Sequence, residues 1–188
     1  MITLKMIGRP LTIVTLLCCA STAWAADRNQ AYSARVAYPS DRASALELAE
    51  KGDAEAAAVE FCRLSDSPLT GVQKNDALFN AALCWETAKR PAEAMEAARK
   101  ISSAPLSTAC QMELLAKGAK WNELLALSSG EDFKTWPDRV IFKAYFFRAQ
   151  AYHAKGDTDA AKADLILAAE STTSTRQKEK IAELLRSI

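Results

Sequence analysis

Apolar positions along this chain return every three or four residues in short blocks, and each block stops at a cluster of Gly, Pro, Asn, Asp or Ser. That spacing predicts amphipathic helices separated by tight turns. One helix is expected from Ser40 or Asp41 to Glu50. Gly52 and Asp53 then turn the chain and cap a second helix from Ala54 to about Leu64. Asn75 is placed to cap a third helix to about Ala88, and Pro91 suits the first position of a fourth, ending near Ile101. Leu106 and Ser107 open a helix to about Lys117 and Gly118, followed by Lys120 to Leu127 with Trp121, Leu124 and Leu125 on its apolar stripe. A polar loop from Ser128 to Lys134 leads through Trp136-Pro137-Asp138 into a long helix to about Ala154. Gly156 and Asp157 turn and cap the next, through Glu170. Ser174 to Gln177 fits a capping box ahead of a last helix with Ile181, Leu184, Leu185 and Ile188 on one side. Residues 26–40 show no apolar periodicity and are interrupted by Pro39, so they read as an irregular arm.

The blocks repeat. Ala149, Tyr152, Gly156, Ala161, Leu165 and Ala168 have the same spacing as Ala82, Trp85, Lys89, Ala94, Ala98 and Ile101, and as Ala45, Leu48, Gly52, Ala57, Phe61 and Leu64. A small residue lets two helices approach, a large one three positions on fills the gap, and a glycine or cap turns the chain. Units of this size bury a core only by stacking on one another. In the shorter third unit Gln111, Leu114, Gly118, Glu123 and Leu127 fall at the corresponding places. Small-x-x-aromatic, a turn, then Ala-x-x-x-large-x-x-Ala resembles the tetratricopeptide repeat, over Asp41 to Ser171 and most closely in Phe142 to Thr173. The resemblance implies an all-α fold. It would be a right-handed solenoid of about four stacked helical hairpins with a C-terminal capping helix, occupying residues 41–188.

The first 25 residues combine Lys5 and Arg9, an apolar run from Leu11 to Ala20, and the small-residue site Ala23-Trp24-Ala25. This is the pattern of a secretory signal cleaved after Ala25, and the run is about half the roughly 20 residues a membrane-spanning helix needs. Cys18 and Cys19 lie in that run, preceded by Leu17 and Cys18 rather than by the small residue a lipidation site calls for. Export to the periplasm, or beyond the cell, is the expectation, with no integral membrane segment left after cleavage. Loss of Lys5 and Arg9 leaves 22 basic residues against 23 acidic ones, which offers no basic excess for nucleic acid. Cys62, Cys84 and Cys110 survive cleavage. An odd number leaves at least one unpaired, burial as small apolar side chains is the leading reading, and Cys84 to Cys110 is the first choice should a disulfide form.

No cofactor and no catalytic group is expected. His153 is the single histidine and precedes a turn, and Cys62, Cys84, Cys110 and His153 lack the short spacing of a structural zinc site. Acids such as Glu93, Glu96, Asp157 and Asp159 sit at helix starts, where the macrodipole accounts for them. On a helical wheel Asp76, Phe79, Leu83 and Glu86 share a face beside the core stripe of Ala82, and Lys143, Phe146, Gln150 and His153 do so beside that of Ala149. In the family this chain resembles, that second face lines a concave groove which takes a peptide or helix. Phe79, Leu83 and Phe146 would then be apolar anchors, with Glu86, Lys143, Gln150 and His153 as polar selectors. The alternative for the apolar ones is contact with the next repeat. A protein-protein interaction or scaffold module binding another exported or envelope protein is the function expected. An enzyme of envelope polymers with a cryptic site, and a self-associating assembly protein, are the rivals.

Overall fold

The computed structural model describes the backbone of residues 11–188 and side chains from residue 27. The expected export signal, with Cys18 and Cys19, lies outside the residues whose side chains are described. Among the described residues every regular element is helical. They are α1 (Leu11–Glu50), α2 (Ala54–Asp66), α3 (Gly71–Thr87), α4 (Pro91–Lys100), α5 (Ala104–Lys117), α6 (Trp121–Ser128), a 3-10 turn (Phe133–Thr135), α7 (Asp138–Ala154), α8 (Thr158–Glu170) and α9 (Thr175–Ser187). The chain is all-α. None of these helices is long and apolar enough to cross a membrane.

Residues 26–40 are not an irregular arm: α1 runs through them with Pro39 inside it. Tyr38 explains why. Its ring is buried in the core with Ala45, Ala34 packs against the same core, and its hydroxyl donates to Asp76 Oδ2 at 2.6 Å. Tertiary anchoring offsets the roughly 3 kcal/mol that an internal proline costs a helix. A second correction concerns α3, which starts at Gly71 rather than after Asn75. Thr70 and Gln73 form a reciprocal capping box, while Asn75 Oδ1 accepts from the amide and hydroxyl of Ser102 at 2.9 and 3.0 Å. At α9 the expected box is not formed. Ser174 makes no side-chain cap, and Gln177 accepts from the hydroxyl of Thr172 instead.

One turn recurs four times, after α1, α3, α5 and α7. Gly52, Lys89, Ala119 and Gly156 all take positive φ, at 90°, 61°, 52° and 82°. Each donates its amide to the carbonyl three residues back, and the next residue donates to the carbonyl five before it: Leu48, Trp85, Leu115 and Tyr152 respectively. These bonds satisfy the carbonyls that a helix end leaves open. They also shift the third unit by one residue. Gly118 has φ −83°, so Ala119 is the turn residue, and Met112, Leu115, Leu124 and Ser128 take the places read as Gln111, Leu114, Glu123 and Leu127. All four are buried. Because alanine in the left-handed region is strained by roughly 1–2 kcal/mol, Ala119→Gly is expected to raise stability by about 0.5–1 kcal/mol after the added unfolded-state entropy is deducted. A urea titration checks this, with Gly118→Ala, at negative φ, as the comparison.

Consecutive helices pack on one another from α1 to α9, and alternate ones also touch: α1 on α3, α3 on α5, and α5 on α7. Two buried clusters result. One forms around Phe61 and Leu64 from α1 to α5, the other around Met112, Leu124, Phe133 and Leu165 from α5 to α9. Met95 and Leu106 pack against both, so the two meet without a break.

Candidate functional site

The alternate helices α1, α3, α5 and α7 share a cleft of about 360 Å³. Tyr38 enters it from α1, Val72, Gln73, Asp76 and Phe79 from α3, Leu106 from α5, and Arg139, Val140 and Lys143 from α7. Its floor is apolar because Phe79 and Leu106 pack on the margins of the cores and Val140 belongs to the second core. Its charges are mostly neutralised in place. Asp76 Oδ2 accepts from Tyr38 Oη and from Arg42 Nε, each at 2.6 Å. Burial, then the adjacent Asp76, pushes the Tyr38 hydroxyl well above the usual phenol range, and the bond to Asp76 raises Arg42. Lys143 Nζ lies 2.5 Å from Glu113 Oε2 and 4.4 Å from the centre of the Phe79 ring.

The seven groove positions expected from the sequence separate. Phe79 and Lys143 meet in the cleft. Glu86 lies on the same helix and pairs with Lys117 at 3.1 Å. Leu83 is half-buried against the first core, and Gln150 and His153 are half-buried on α7 away from the cleft. Phe146 is 7% exposed and stacks on Phe142 with ring centres 5.3 Å apart, so it packs the core and offers no open anchor. A helical wheel cannot separate a groove face from a face covered by the next helix. Asp76 was legible on the Phe79 face. Arg139 stands one turn before Lys143 and was within reach of the same reasoning. Tyr38 was not, since its segment carried no helical signal.

The described cysteines are all free thiols, so the Cys84 to Cys110 bridge is not formed. Cys84 and Cys110 are buried and Cys62 is half-buried. Burial raises the Cys84 thiol and, with Glu113 nearby, pushes Cys110 up to about 12. The native protein at pH 8 is expected to take up iodoacetamide at Cys62 and to leave Cys84 and Cys110 unlabelled until denaturant is added, as read by peptide mass mapping. The sign of the pH effect follows from the same burial. An unfolded thiol ionises near pH 8.5, so stability held below that point is lost as pH rises toward 12.

Among the described residues no group of three or more His, Cys, Asp or Glu side chains is placed to hold a metal ion. Comparison with protein-family models, with curated proteins and with solved structures returned no significant match.

Proposed function

We propose that this chain is an exported binding module of the cell envelope, whose helices α1 to α8 stack as four tetratricopeptide-like hairpins in a right-handed solenoid capped by α9. Its cleft receives a segment of another exported protein, in the periplasm, and it carries out no covalent chemistry. The observation that carries this reading is the cleft itself: four alternate helices each contribute side chains to one concavity with an apolar floor and a charged rim. The contacts of α1 with α3, α3 with α5 and α5 with α7, together with the same reversal after each odd-numbered helix, support the stacking. Asp76, the carboxylate that lines the cleft, is paired with Arg42 and is not open as a general base, which favours recognition over catalysis.

Photo-cross-linking in the native envelope tests the reading. A benzophenone side chain placed at Val72, on the cleft and 64% exposed, is expected to trap a protein partner, and Phe79→Ala in the same chain is expected to reduce the yield. Val59 and Ile166, 55% and 57% exposed and away from the cleft, serve as controls. Equal capture from all three positions would remove the cleft as the privileged surface. Cross-links only between copies of this chain would favour self-assembly.

A further inference from the structure

We propose that the segment held in this cleft is acidic, an aliphatic side chain flanked by Asp or Glu, with Arg139 reading the carboxylate. The inference rests on the cleft being the binding site proposed above and adds its chemistry. Side-chain charges around the cleft divide into committed and uncommitted ones. Asp76 already accepts two short hydrogen bonds, from Tyr38 and Arg42, and offers little to a cationic ligand. Lys143 is held by Glu113 and lies over Phe79. Each of these pairs cancels. Arg139 is exposed on the rim, and no hydrogen bond or ion pair engages it among the described residues, so the wall carries a surplus positive charge.

The backbone adds charge of the same sign. Helices α3, α5 and α7 all begin at the cleft, through Val72 and Gln73, Leu106, and Arg139 and Val140. Helix starts carry partial positive charge, and at α5 and α7 no side chain caps the first-turn amides. Asp138, also in the first turn of α7, is exposed and does not line the cleft. A basic segment would therefore meet Arg139 and the uncapped starts of α5 and α7, all of its own sign. An acidic one finds complementary charge around a floor that accepts an aliphatic group.

The test selects bead-displayed random peptides with the full chain at low salt, beside Arg139→Glu and Val72→Asp variants whose folding is checked by circular dichroism. The parent is expected to enrich Asp and Glu several-fold next to Leu, Ile or Val. Arg139→Glu should lower the affinity for a selected acidic peptide about tenfold, the effect of one lost charge-assisted contact, and move the enrichment toward Lys and Arg. Selected peptides with no preference for acids, yet lost with Val72→Asp, would overturn the acidic segment and leave the cleft as a binding site. Selection that Val72→Asp does not disturb, or no selection at all, would overturn both.

Discussion

Phe133→Ala is expected to lower the unfolding free energy by about 3–5 kcal/mol, the range for emptying a fully buried aromatic site. Phe133 is 1% exposed although it lies in the connection between α6 and α7. Its ring packs on Trp136 at 4.7 Å and meets Tyr145 edge-on at 5.2 Å, and the Arg148 guanidinium sits 4.5 Å from its centre. A loop that buries one large side chain in this way acts as a plug for the second core. Since a domain of this size is stable by about 5–15 kcal/mol, the variant should lose a large part of its margin. Urea unfolding followed by circular dichroism is the measurement. Lys134→Ala, exposed and one residue on, should stay within about 0.5 kcal/mol of the parent. A small effect at Phe133 would mean that the connection is not docked in solution.

The second large effect is expected at Asp164, a buried carboxylate on α8. Arg148 of α7 donates to both of its oxygens, from Nε at 2.7 Å and from a terminal nitrogen at 2.8 Å. This fork holds α7 to α8 in one register. Hydrogen bonding to Asp164 raises Arg148 further above an already high value, so the guanidinium stays charged in any solution the fold survives. Asp164→Asn removes the countercharge and leaves a partly buried cation, at a cost of about 3 kcal/mol, the lower end for breaking such a pair. Replacing both partners, as Arg148→Met with Asp164→Leu, should recover most of the loss, because the desolvation of both ions is relieved together. A double variant no more stable than Asp164→Asn would show that Arg148 matters through its aromatic contacts instead. Those contacts also couple the two predictions. Arg148 touches Phe133, so the Phe133→Ala and Asp164→Asn losses should fall short of additive.

Much of the helical layout was legible beforehand because its signals are local. Asp53 and Asp157 cap α2 and α8 through bonds to amides three residues on, and Pro91 opens α4. Such contacts depend on neighbours in the chain alone. Local signals failed where two candidates competed within a few residues. Thr70 with Gln73 outbid Asn75 because a reciprocal box satisfies two open donors, and Asn75 was then free to bind Ser102 across the fold. At the third turn glycine's preference for positive φ pointed to Gly118. Burial of Met112, Leu115, Leu124 and Ser128 outweighed it, and the strain fell on Ala119.

The all-α class, the reversals after the odd-numbered helices and most helix ends thus follow from the sequence by itself. Capping, turn formation and helical periodicity are decided within a few residues of chain. Only the tertiary structure decided that 26–40 joins α1, that Phe146 belongs to the core, and that Tyr38, Leu106 and Arg139 share one cleft with Phe79 and Lys143. Each of those outcomes turns on which helix lies against which. A packing partner tens of residues away sets burial and leaves no periodic trace at the position it covers.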